Sequence, residues 1–125
     1  MTDRTFKETE TLELKKSTSK LKEAIISIAA ILNKHQRGEI YFGIKNDGSV
    51  LGQDIGEQTI RDVSKVVSDN IEPGIYLEIS RAILDGKDCV RVIFQGNESP
   101  YFAYGRAYMR GMMIGKYLQG NLKIW

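Results

Sequence analysis

Ile40-Tyr41-Phe42-Gly43-Ile44-Lys45-Asn46-Asp47-Gly48-Ser49-Val50-Leu51-Gly52 is the stretch whose reading decides the fold. Ile40, Phe42 and Ile44 recur at every second position, which puts them on one face of a strand over residues 39–44. Asn46-Asp47-Gly48 then breaks the run. Asn, Asp and Gly tolerate positive φ, so the chain reverses there and Val50-Leu51 follows as a short partner strand.

Upstream, Leu12 and Leu14 alternate with Glu13 and Lys15, predicting a first strand over residues 11–15. Ser17-Thr18-Ser19 supplies N-cap hydroxyls. Leu21, Ala24/Ile25, Ile28 and Leu32 recur at helical spacing, so a helix is expected to about Asn33, packed by that one stripe. Gly38 closes the connection to the central strand. Downstream, Ile60, Val63 and Val67 mark a second helix that ends near Asn70, and Pro73-Gly74 breaks it. Residues 75–83 and 87–94 read as a hairpin across Asp85-Gly86, with Val90, Val92 and Phe94 turned to the core. Residues 104–110 read as a last strand. The order predicts an α+β fold: a mixed, mostly antiparallel sheet of about six strands with two helices packed on one face. The domain is expected over residues 1–110, with 111–125 a tail of uncertain structure.

The composition agrees with this. A chain of 125 residues with 42% hydrophobic and 27% charged side chains fits one globular domain. No stretch approaches the roughly 20 apolar residues that span a bilayer. The start, Met1-Thr2-Asp3-Arg4, has no apolar run of the secretory kind. Cys89 is the single cysteine, so no internal disulfide forms, which suits a reducing cytoplasm. The formal net charge of +2 implies no partner by itself. Its distribution is more informative: residues 101–125 hold Arg106, Arg110, Lys116 and Lys123 and no acid, while Glu8, Glu10 and Glu13 cluster upstream. A basic end beside an acidic cluster fits a polyanion site next to a metal site, or ordinary surface variation.

Two constellations can carry chemistry. If residues 104–110 form one strand, Tyr104, Arg106, Tyr108 and Arg110 share a face. Arginine binds phosphate through a planar fork, and tyrosine offers bases a stacking platform. The plainer alternative is tyrosines half-buried on a sheet under arginine stems. The second constellation is the acidic strand. Glu13 and Lys15 share a face, and a bend near Thr9 or Thr11 would bring Glu8 to Glu13. Two carboxylates can hold Mg²⁺ or Mn²⁺, which can activate water against a phosphodiester. The residues alone favour a solvated strand face with a Glu-Lys pair.

Other candidates fail. Gly111-Met112-Met113-Ile114-Gly115-Lys116 is one residue short of a phosphate-binding loop, with Tyr117 where Ser or Thr belongs. His35, the sole histidine, excludes a multi-histidine metal site and is expected in a surface connection. Cys89 reads as a small packed residue.

The chain resembles the Schlafen AlbA-like domain family, found in bacterial proteins regarded as transcriptional regulators and in animal Schlafen proteins. Four stretches carry the resemblance: residues 8–15, Ala29-Ala30-Ile31-Leu32-Asn33 with Gly38, residues 40–52, and Pro100-Tyr101 with residues 104–110. The resemblance implies nucleic-acid binding by a domain that acts as a transcriptional regulator or part of one. Lys15, Arg106 and Arg110 would contact phosphates, and Tyr104 and Tyr108 sugars or bases. It also implies a homodimer, since two such lobes face each other in the animal relatives. Some animal members cut structured RNA with carboxylates and a metal ion, and Glu8 and Glu13 fall on two of those acidic positions. The third belongs just after Gly43-Ile44, where this chain has Lys45 and Asn46, with Asp47 one or two places late. A metal-dependent endoribonuclease using Glu8, Glu13 and Asp47, with Mg²⁺ or Mn²⁺ as its only cofactor, is therefore the rival. A third reading is a protein-interaction module docking through Met112-Met113-Ile114.

Overall fold

The computed structural model describes residues 6–110. The elements run β1 (Leu12–Lys15), a single 3-10 turn (Thr18–Lys20), α1 (Leu21–Leu32), β2 (Arg37–Phe42), α2 (Glu57–Asn70), β3 (Ile71–Glu72), β4 (Tyr76–Leu84), β5 (Lys87–Gln95), β6 (Phe102–Ala103) and β7 (Arg106–Ala107). The α+β class is as expected, but the strands divide into two sheets. Four form a sheet in the order β1-β2-β5-β4, and three form a small sheet in the order β3-β6-β7. Only β1 and β2 run parallel; every other pairing is antiparallel.

The alternation read from the sequence places the core correctly. Ile40 lies opposite Val92 and Phe42 opposite Val90, and all four are buried with Phe94 against the helices. Each such side chain withdrawn from water contributes roughly 1.5–3 kcal/mol. The β4–β5 hairpin closes across Asp85-Gly86, both at positive φ (50° and 72°), which is the two-residue turn that matches strand twist. The expected Val50-Leu51 strand is reduced to one bridge between Ile44 and Val50. The turn before it forms, with Asp47 Oδ1 accepting from Ser49 N and Oγ (2.9 and 2.6 Å).

α1 departs from the one-stripe expectation. Ala24, Ile25, Ser27, Ile28, Ala29, Ala30, Ile31 and Leu32 are all buried. The reason is that α1 has covers on more than one side: the four-stranded sheet, and the second sheet, whose Ala103 packs with Tyr101 in the same core. Gly38 marks a close approach. A Cβ there would meet Phe94 Cζ at 2.6 Å and Ile31 Cγ2 at 2.9 Å, so only glycine lets β2 and α1 share the space. α2 buries Val63 and Val67 and turns Glu57–Arg61 and Lys65–Asp69 pairs to solvent. On the opposite face of the main sheet, Leu14, Tyr41, Ile44, Leu84 and Cys89 form a second cluster that Phe6 helps to cover. Cys89 is fully buried, as its parity predicted; burial, helped by Asp88, pushes its thiol pKa up and leaves it unreactive.

Candidate nucleic-acid interface and the ion-pair cluster beneath it

The strand expected over residues 104–110 does not exist. Tyr104 and Gly105 stand at positive φ (53° and 79°) and reverse the chain between β6 and β7. Phe102 pairs with Ala107 and Ala103 with Arg106, so the two buried alanines anchor the ribbon and its tip turns outward. Tyr104, Arg106, Tyr108 and Arg110 therefore share no face. Tyr104 and Arg106 are exposed, Tyr108 is half-buried against the main core, and Arg110 is buried. A glycine in mid-strand signals such a break, and Gly105 was that signal.

Arg110 reaches the acidic strand instead. Its Nη2 donates to Glu13 Oε1 (2.8 Å) and to the Thr9 carbonyl (3.1 Å), with its side chain fully enclosed. Glu13 is itself only 4% exposed, because β1 turns it toward the helix layer: it lies beside Ile40 in register. Lys15, on the same face, sits between Glu13 Oε2 (3.2 Å) and Glu23 Oε1 of α1 (3.3 Å). The expected Glu13–Lys15 pair forms, but the face is not a solvated one, and Arg110 is buried where an exposed phosphate contact was expected. Arg110 is committed to a carboxylate inside the fold, and Lys15 is shared between the buried Glu13 and the exposed Glu23.

The bend that would bring Glu8 back is present. Thr9 N donates to the Leu12 carbonyl (3.0 Å), and Thr9 Oγ1 accepts from Leu12 N (3.1 Å). Glu8 Oε2 then accepts from Leu14 N (3.1 Å), an outward-facing donor of the β1 edge. Burial first, and the neighbouring Glu13 charge second, raise the Glu8 pKa above its ordinary value. The donor set does not suit a divalent cation: Arg110 holds one Glu13 oxygen and Lys15 the other. Asp47 is exposed and spent on Ser49. Among the described residues, no three acidic, histidine or cysteine side chains gather where they could hold a metal.

Two exposed cations belong to the ribbon tip and to the helix next to it. Lys22 Nζ of α1 lies 5.3 Å from the centroid of the Tyr104 ring, within reach of a cation–π contact. Arg106, two residues on from Tyr104, is also exposed, and neither Lys22 nor Arg106 forms an ion pair among the described residues. The ribbon is fixed from below. Asn33, just after α1, donates through Nδ2 to the carbonyls of Tyr101 (2.9 Å) and Tyr108 (2.7 Å) and accepts from Tyr101 N. Tyr104 N donates to the Asn70 carbonyl at the end of α2 (3.0 Å). A cleft of about 150 Å³ opens beside Tyr104 and Gly105 and is also lined by Asp69 and Glu72. Lys22 was not legible as a site residue, since only the ribbon's return over α1 brings it to Tyr104. His35 lies in the connection after α1, with Nε2 2.8 Å from Glu10 Oε1, and Lys34 Nζ is 3.0 Å from the other oxygen. These contacts, His35 foremost, lower the Glu10 pKa.

The tail motifs, Gly111-Met112-Met113-Ile114-Gly115-Lys116 among them, lie outside the described residues.

The family described as Schlafen, AlbA_2 matches residues 8–113. No curated protein matches the chain in sequence. Among solved structures, the DIP2311 protein from Corynebacterium diphtheriae superposes with a TM-score of 0.64 at 13% identity. That match covers 89% of this chain and 23% of DIP2311, so the chain spans under a quarter of that protein's length. A second is the N-terminal domain of a protein from Nitrosomonas europaea described as related to the ATP-dependent DNA helicase RecG, with a TM-score of 0.64 at 16% identity. It covers 87% of this chain and 80% of that domain. At these identities the likeness is one of fold.

Proposed function

The chain belongs to the Schlafen, AlbA_2 family, and from that premise we propose that it is a nucleic-acid-binding domain whose contact surface is the Tyr104-Gly105-Arg106 tip together with Lys22. One observation carries the reading. Tyr104 is a bulky residue held at φ 53°, where L side chains are strained by on the order of 1–2 kcal/mol. Strain of that kind is kept where the side chain has work at its position. Here it presents an exposed ring with Lys22 over it and the exposed Arg106 two residues further along the ribbon. A stacking platform beside two phosphate-binding groups is the arrangement that single-stranded or distorted nucleic acid accepts without base specificity. The likeness to a domain from a DNA-helicase-related protein is consistent with this. The role is that of a transcriptional regulator or a component of one, in the reducing cytoplasm that a lone thiol suits.

Fluorescence anisotropy with duplex DNA, single strands and transfer RNA at two salt concentrations tests the proposal. Each phosphate contact adds about 0.9 to the slope of log affinity against log salt on duplex DNA. Lys22→Ala with Arg106→Ala should lower affinity on every ligand and flatten the slope by nearly two contacts. Undiminished binding by the double variant would refute the surface. The endoribonuclease reading has less support, because both Glu13 oxygens are held by cations. The proposed activity needs no metal ion. Cleavage of structured RNA with Mn²⁺ that Glu13→Ala abolishes would reverse that order.

A further inference from the structure

β4 is an outer strand of the four-stranded sheet and one of its two longest, at nine residues. Its hydrogen-bonding pattern follows from the turn at its end. A two-residue loop is closed by a hydrogen-bonded pair, here Leu84 with Lys87. Pairing then alternates, so Tyr76, Glu78, Ser80, Ala82 and Leu84 bond to β5. Leu77, Ile79, Arg81 and Ile83 turn their backbone N–H and C=O groups outward. No backbone partner meets these outward groups among the described residues. Arg81 spends its guanidinium on the Ile55 carbonyl (2.7 Å), which leaves its own backbone open. The strand lacks the strongest guards of a bare edge, with no proline, no lysine and no bulge in its register; its two charges, Glu78 and Arg81, are of opposite sign. Two large apolar side chains stand exposed at its ends, Tyr76 at 55% and Ile83 at 68%.

We infer that β4 is a self-pairing edge, joining two copies of this chain in antiparallel register centred on Ser80. Ser80 is the midpoint of β4, so this register matches the strand along its whole length. It sets Tyr76 against Leu84, Leu77 against Ile83, Glu78 against Ala82 and Ile79 against Arg81, with Ser80 facing its own copy. Both exposed apolar residues gain apolar partners, and no like charges meet. Registers centred on Glu78 or Arg81 would oppose like charges, which destabilises a sheet. The outward backbone groups of both strands would be matched, and two four-stranded sheets would become one. A second copy is the occupant because the edge is complementary to itself in length, charge and apolar end residues. This inference is independent of nucleic-acid binding. It gives a homodimer a different surface from the basic strands expected from the sequence, since no such strand is present.

Sedimentation velocity of the full chain over a concentration series reads the outcome: a monomer–dimer equilibrium is expected. Ile83→Lys removes two symmetric apolar pairs and should weaken association roughly tenfold, with an unchanged circular dichroism spectrum because Ile83 is already exposed. Ser80→Cys provides a readout that does not depend on affinity. At a non-hydrogen-bonded pair on the axis the two Cα atoms lie about 4.5 Å apart, within disulfide range. Mild oxidation should cross-link Ser80→Cys and leave Glu78→Cys, which faces Ala82, largely uncoupled. A chain that stays monomeric at every concentration overturns the inference. So does a dimer indifferent to Ile83→Lys, or cross-linking of Glu78→Cys as fast as Ser80→Cys.

Discussion

Replacing Arg110 with alanine separates a structural cation from a ligand-binding one. The Arg110 side chain is fully enclosed, and its Nη2 sits 2.8 Å from a Glu13 carboxylate whose side chain is 6% exposed. Removing the guanidinium leaves that carboxylate buried with Lys15 as its remaining cation and Glu8 as an acidic neighbour. Breaking a buried pair by deleting one partner costs about 3–5 kcal/mol. A domain of this size has a total stability of about 5–15 kcal/mol. At roughly 4 °C or more per kcal/mol, the melting midpoint should fall by at least about 12 °C. Thermal melts followed by circular dichroism measure this directly. Arg110→Met with Glu13→Gln should recover much of the loss, since the pair is then removed without stranding a charge. An Arg110→Ala protein that melts within about 3 °C of the parent, yet loses nucleic-acid affinity, would refute the reasoning and return Arg110 to the binding surface.

Two other outcomes follow from the same neighbourhood and from the ribbon tip. Burial and Glu13 raise the Glu8 pKa above its ordinary 4.5, so the folded chain binds that proton more tightly than the unfolded chain. The stability this contributes is fully present below the unfolded pKa and is lost as pH rises through the folded one. Glu8→Gln should therefore be more stable than the parent at neutral pH, with the gap closing as pH falls toward 4.5; urea titrations at several pH values would show a constant gap if the shift is absent. Tyr104→Asn relieves the positive-φ strain and should raise stability by roughly 1 kcal/mol while weakening nucleic-acid binding. Equal or tighter binding by that variant would detach the ring from function.

The main layer of the fold was legible because its signals are local. Ile40, Phe42, Val90, Val92 and Phe94 alternate within their own strands, and Asp85-Gly86 announces its own turn. The second sheet was not. β3, β6 and β7 have two residues each, too few for a period to show, and their pairing is set by docking on α1. The shared face of Tyr104, Arg106, Tyr108 and Arg110 is absent for a related reason. Period 2 across Tyr104 and Arg110 assumed one straight strand, and the reversal at Gly105 sent the two arginines to opposite fates. The approach of Glu8 to the Glu13 strand depends on a bend, and Thr9 makes it. That Glu13 faces inward was hidden, because its cover, Arg110, lies 97 positions away in the chain.

The Asn33 amide grips backbone groups 68 and 75 positions further along. During synthesis, α1 emerges long before those groups exist. Until Tyr101 and Tyr108 have left the ribosome, the Asn33 amide lacks the backbone groups it holds, and the core around α1 lacks Tyr101 and Ala103. Any shortened version that stops ahead of Tyr101 would leave that part of the core open, inviting capture by chaperones. The final stretch of described chain thus serves as the clasp that completes the domain.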